Sequence, residues 1–150
     1  MEQPVMSECP PIVAGTSGKG DANLGDLPRR FVVLEHDWPS PHFDLMIDDG
    51  QERLRTFALD RLPDNTSEPV LVPELARHRR SYLDYEGPVS GGRGSVRRID
   101  AGRATLSQTS PERLRVVLAG VRFNGTISLE RTTDQSPRGP VWRLIYQSDC

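Results

Sequence analysis

The chain has 150 residues, with 19 Lys+Arg against 21 Asp+Glu, 13 Gly, 13 Pro and 2 Cys. That length fits one domain with a small core. No run approaches the roughly 18 apolar residues of a membrane span, and Cys9 and Cys150 sit too far apart in sequence for a disulfide framework or a thiolate cluster, which excludes a helical membrane protein, a disulfide-stapled module and a zinc finger. With no basic-then-apolar leader at the N-terminus, the expectation is a soluble, cytoplasmic, single-domain protein.

Residues 1–29 mix Gly, Pro, Ser, Asn and Asp with no aromatic residue, and predict a flexible tail ahead of a domain over 30–148. Phe31-Val-Val-Leu-Glu35 reads as the first strand. Beyond a Pro-rich connection, His42-Phe-Asp-Leu-Met-Ile-Asp48 alternates, so Phe43, Leu45 and Ile47 share one face and His42, Asp44 and Met46 the other. Asp49-Gly50 signals a turn, and 53–59 follows as a strand. The Pro-interrupted stretch 60–77 reads as loop, with one helical turn near Glu74. Further strands are expected at 81–86, 94–99, 103–108, 113–119, 126–131 and 141–147, separated by Gly87, Gly102, Gly120 and Gly125. Many short strands with Gly/Pro punctuation and little helix predict an all-β fold, a compact barrel of about eight strands or a sandwich.

Charge is uneven along the chain. Residues 31–76 carry 3 basic and 10 acidic side chains, whereas residues 77–103 carry 7 Arg and 3 acidic ones. An acidic half suits a cation and a basic segment suits phosphate. The five residues between His36 and His42 make a hairpin loop that sets the two imidazoles opposite each other, where Cβ atoms lie roughly 4.5–5.5 Å apart. Asp44 lies two residues further on the His42 face. Two His and one Asp with open positions suit an octahedral ion such as Mn²⁺ or Fe²⁺. His78 sits among Arg77, Arg79 and Arg80, a cationic run that can meet an anion. Arg93 is embedded in the Gly-rich loop 90–95, whose N–H groups can cradle an oxyanion. Each of these also has a plain structural reading, as a satisfied polar group, a solvated Arg-rich loop or a simple hairpin turn.

These residues together resemble a known family. Arg30-Phe-Val-Val-Leu-Glu-His-Asp37, His42-Phe-Asp-Leu45, His78, Tyr82 and Asp84-Tyr-Glu-Gly87 are similar to the 3′-phosphoesterase domain of bacterial DNA ligase D. The resemblance continues through Gly94-Ser-Val96, Asp100-Ala-Gly102, 114–120, 125–131 and 142–145, in family order. It implies a compact β-barrel that uses Mn²⁺, or another divalent transition metal, to remove a 3′-terminal ribonucleotide and then the remaining 3′-phosphate in DNA repair. It implies His36, His42 and Asp44 as metal ligands, with His78 at the phosphate and Tyr82 beside it. Arg80 and Arg93 are the expected phosphate-binding cations. The expected partners are nucleic-acid 3′ ends and separate ligase or polymerase repair proteins, with no membrane. Met46 stands where the family usually has a phosphate-contacting Arg, Ala76 replaces an acidic residue, and the loop holding Arg93 is shortened. Two other functions fit parts of the pattern. One is a metal-retaining module that binds nucleic-acid ends or a partner with weak catalysis. The other is a non-haem iron oxygenase using His42, Asp44 and His78, with Arg93-Gly-Ser95 as a cosubstrate anchor.

Overall fold

The computed structural model describes residues 29–64 and 68–149; the tail expected over 1–29 lies outside them except for Arg29. Nine strands follow in order: β1 (Arg29–His36), β2 (His42–Ile47), β3 (Leu54–Leu59), β4 (Val70–His78), β5 (Gly87–Pro88), β6 (Ser95–Ser110), β7 (Arg113–Gly120), β8 (Asn124–Ser136) and β9 (Gly139–Ser148). The sheet runs β1-β2-β3-β4-β9-β8-β7-β6, and β6 returns to pair with β1. The result is a closed antiparallel barrel of eight strands, with β5 as a short extra strand on β6. Closure leaves these eight strands without a free edge. Among the described residues, no helix is long and apolar enough to cross a membrane.

Alternation along the strands fills two cores. Phe31, Val33, Leu45, Ile47, Phe57 and Leu59 point into the barrel, where they meet Val72, Leu114, Ile127, Trp142 and others from every barrel strand. The opposite faces of β1–β3 carry a second, smaller apolar cluster: Val32, Leu34, Met46 and Leu54, with Val96 of β6 and Leu83. Each fully buried aliphatic or aromatic side chain of this kind contributes roughly 1.5–3 kcal/mol. The outer cluster matters for function because His36, His42 and Asp44 continue the same faces of β1 and β2.

Three expectations are corrected. The stretch 60–77 is not all loop: Val70–His78 is β4, and Glu74 is in a strand rather than a helical turn. Val70–Pro73 pair with β9, while Glu74, Leu75 and His78 pair with β3. Pro73 sits where the pairing changes hands, so its missing N–H is tolerated. Glu74 then ties the two neighbours together, accepting from Arg55 Nε at 2.9 Å and Trp142 Nε1 at 3.0 Å. The strand expected at 81–86 is a 3-10 turn over Arg80–Leu83, with Leu83 its only buried residue. The strands expected at 94–99 and 103–108 are one strand, β6. Gly102 does not break it; it lies opposite Gly120, where an added Cβ would fall 2.2 Å from the Ala119 carbonyl oxygen. Close backbone approach, not a turn, requires that glycine.

Candidate metal centre

The β1–β2 hairpin sets His36 and His42 as direct cross-strand partners. Their ring centroids lie 5.1 Å apart. Asp44, two residues along β2, projects to the same side and is 1% exposed. Its Oδ2 lies 3.5 Å from His36 Nδ1, and its Oδ1 lies 3.1 Å from His42 Nε2. One ligand atom from each residue falls within 4.8 Å of the other two, a grouping that could hold a metal ion.

The tautomers are fixed from behind. A carbonyl can only accept, so His36 Nε2–H donates to the Arg93 carbonyl at 2.9 Å, and His42 Nδ1–H donates to the Ser40 carbonyl at 2.9 Å. In the neutral rings, Nδ1 of His36 and Nε2 of His42 are left as lone pairs facing the Asp44 carboxylate. Backbone carbonyls orient metal-binding imidazoles in this manner. Asp44 Oδ1 is buried and accepts no hydrogen bond, despite the proximity of His42 Nε2. Lone pairs converging on a buried carboxylate repel unless a positive charge lies between them. A proton meets that need: Asp44 raises the His42 pKa above the ordinary imidazole value against the effect of burial, and the Ser40 carbonyl adds to it. A divalent ion meets it for all three residues at once, so the donor set fits a metal.

These residues form one wall of a cavity of about 470 Å³. Met46 also lines it and is 1% exposed, held in the outer apolar cluster. His78 and Tyr82 line it from the end of β4 and the 3-10 turn, with the two rings edge-on at 5.8 Å. His78 Nδ1–H donates to the Ala76 carbonyl at 2.9 Å, which leaves Nε2 as the nitrogen able to exchange a proton. His36, not His78, joins His42 and Asp44 in the group that could hold a metal.

The two expected phosphate cations are placed differently. Arg93 lines the cavity, but its Nε donates to the Ser90 carbonyl at 2.8 Å. Its loop is a hairpin turn between β5 and β6, closed by Val89 N–H to the Gly94 carbonyl at 2.7 Å. Arg80 is turned onto Asp48, with Nη1–Oδ1 at 2.9 Å and Nη2–Oδ2 at 2.8 Å, and is not among the cavity-lining residues. A partly buried carboxylate captures a neighbouring guanidinium bidentately, which explains the placement.

Other residues at the cavity were not singled out from sequence. Arg53, Arg79 and Arg138 are exposed, line the cavity, and form no carboxylate pair among the described residues. Arg79 belongs to the basic run at 77–80 and was legible there. Arg138 comes from the β8–β9 turn, and no local signal connects it with residues a hundred positions earlier. Trp38, from the loop between the two histidines, also lines the cavity.

No family model matches the chain, and no curated protein matches it in sequence.

Proposed function

We propose that the protein is a metal-dependent phosphoesterase that trims nucleic-acid 3′ ends, removing a 3′-ribonucleotide or a 3′-phosphate. The observation that carries this reading is the convergence of two oriented imidazole nitrogens on the Asp44 carboxylate, whose Oδ1 accepts no hydrogen bond, at the wall of a cavity rimmed by arginines. The resemblance of residues 30–146 to the ligase D phosphoesterase domain supports the choice of substrate.

A divalent ion held by His36, His42 and Asp44 would supply Lewis-acid charge at a phosphoryl oxygen and acidify a water. The chain's own groups do the rest. Arg53, Arg79 and Arg138 offer charge-assisted donors to the phosphate oxygens. Hydrolysis adds water at phosphorus and breaks P–O5′ to the terminal ribonucleoside in the first step and P–O3′ of the remaining phosphate in the second, so in each the departing oxygen needs a proton. His78 Nε2 would deliver it, since the other ring nitrogen is committed to Ala76 and the residue lines the cavity. Tyr82 holds the His78 ring edge-on.

The test is digestion of DNA primers ending in a 3′-ribonucleotide or a 3′-phosphate, with Mn²⁺ and with EDTA. Shortening of the first and dephosphorylation of the second, both abolished in His42→Ala, are expected. A purified, folded, metal-loaded protein that turns over neither refutes the reading.

A second reading has its own support. Met46 supplies no donor, Arg80 is occupied by Asp48, and Arg93 is hydrogen-bonded within its own loop. A metal-retaining module that binds 3′ ends with weak catalysis fits these three facts. Tight metal-dependent binding of a 3′-phosphate end without turnover selects it.

A further inference from the structure

Trp38 belongs to neither of the two apolar clusters. The chain's other tryptophan, Trp142, is 1% exposed and packs edge-on to Phe57 at 5.8 Å. Trp38 is 42% exposed and lies on the loop joining β1 to β2, between the two candidate histidine ligands. Five large apolar side chains among the described residues are exposed: Trp38, Leu71, Tyr85, Val117 and Val121. Scattered exposed apolar residues are ordinary. Of these five, Trp38 alone lines the cavity.

The loop that carries it is held firmly. Asp37 Oδ1 accepts the Ser95 N–H at 2.8 Å, and the Asp37 N–H donates to the Ser95 carbonyl at 3.4 Å. Gly94 has φ +74°, and a Cβ there would fall 2.2 Å from Asp37 Oδ1 and 2.6 Å from Trp38 Cβ. The β5–β6 hairpin therefore clamps the backbone of 37–38, and the indole is presented at the cavity from a fixed base. A rigid aromatic side chain presents large apolar area at little entropic cost.

The cavity thus combines three recognition elements: a planar apolar surface at Trp38, cations at Arg53, Arg79 and Arg138 that form no carboxylate pair among the described residues, and the His36–His42–Asp44 group. A ligand matching all three has a flat aromatic body attached to a phosphate. We propose that Trp38 is a base-stacking residue that takes the nucleobase of the terminal nucleotide while its 3′-phosphate lies toward His36, His42 and Asp44. This rests on the reading of the cavity as a site for nucleic-acid 3′ ends, and adds to it a preference for ends that still carry a base. Stacking on an aromatic side chain is sequence-tolerant because every base has a π face, so the preference is for a base, not for a particular one.

The test compares the intact protein with Trp38→Ala and Trp38→Phe. The probes are two single-stranded oligonucleotides with a 3′-phosphate, one ending in an ordinary nucleotide and one in an abasic nucleotide, and a third ending in a 3′-hydroxyl. Wild type is expected to bind the base-bearing 3′-phosphate more tightly than the abasic one. Trp38→Ala should reduce that preference roughly 5- to 150-fold, the range set by stacking energies, and Trp38→Phe should restore most of it. Tryptophan emission should be quenched by the base-bearing end and not by the abasic one, since Trp142 is buried. A 3′-phosphate that binds more tightly than a 3′-hydroxyl, with no preference for a terminal base, overturns the role of Trp38 and leaves the 3′-end reading standing. No discrimination between 3′-phosphate and 3′-hydroxyl overturns both. Equal weakening of base-bearing and abasic ends in Trp38→Ala also overturns the stacking role, because it marks a disturbed loop.

Discussion

Asp44→Asn should stabilise the metal-free protein while abolishing metal binding. In the metal-free fold the Asp44 carboxylate is held in a side-chain environment only 2% exposed, with Oδ1 unpartnered and two ring nitrogens nearby. A buried group left without a partner costs about 1–3 kcal/mol. Asn keeps the shape, removes the charge, and provides an NH₂ that can donate to His42 Nε2 or His36 Nδ1. Relief of that cost corresponds to a rise of about 2–12 °C in Tm, at about 2–4 °C per kcal/mol for a chain of this size. The measurement is thermal unfolding in EDTA on the alkaline side of neutrality, because Asp44 raises the His42 pKa and a proton on that ring would partner the carboxylate. Repeating it with Mn²⁺ completes the cross. Wild type should gain about 2.7 kcal/mol at a hundredfold excess over Kd, and Asp44→Asn should gain nothing. An Asp44→Asn protein that is less stable than wild type in EDTA refutes the view that this carboxylate is strained for ligand binding. Retained Mn²⁺ stabilisation in the variant refutes its place in the donor set.

Four further outcomes are expected. Gly94→Ala should lower both stability and metal affinity, because a Cβ at φ +74° collides with Asp37 and Trp38; strain of this kind costs on the order of 1–3 kcal/mol, and unfolding together with Mn²⁺ calorimetry reads it. Asp48 is held below the ordinary carboxylate range by its hydrogen bond to Arg80, and Asp49 is held there by Arg77 against the opposing effect of burial. A depressed carboxyl contributes its full stability above the unfolded value of about 3.9 and loses it as pH falls through the lower folded value. Arg80→Gln should therefore raise the acid-unfolding midpoint modestly, since Arg80 is half exposed, and leave the pH 6 to 8 region flat; a circular-dichroism titration with an unmoved midpoint contradicts this. Met46→Arg should lower Tm, because the residue is 1% exposed among Val32, Leu34, Leu54 and Val96, with overpacking costing about 1–3 kcal/mol. It should also raise phosphoesterase turnover per folded molecule if the guanidinium reaches the cavity, whereas Arg138→Ala should weaken 3′-phosphate binding and reduce its logarithmic salt slope by about 1. Turnover and salt slope both unchanged would remove positions 46 and 138 from the phosphate site.

The candidate centre was legible in the sequence because it is local. Strand alternation places residues 42, 44 and 46 on one side, and a five-residue hairpin loop fixes His36 opposite His42, so neither step needs the rest of the chain. The β-rich class was legible for the same reason, since the apolar run 31–34, the alternation in 42–48 and the Asp49-Gly50 turn signal are each local. Strand β4 was not, because its Pro73 is tolerated only where pairing passes from β3 to β9, and those partners are far apart in sequence. Nor was the fate of the cations. Arg80 and Arg79 are neighbours in one basic run, yet Asp48 captures the first and the second reaches the cavity. Which carboxylate competes for which guanidinium depends on distances that exist only after the barrel closes through β6 and β1. The same closure brings Trp38 beneath the Gly94 hairpin and lines one cavity with His36, His78 and Arg138. Chain alternation therefore selects the metal-competent group, while barrel closure, a non-local event, decides what that group faces.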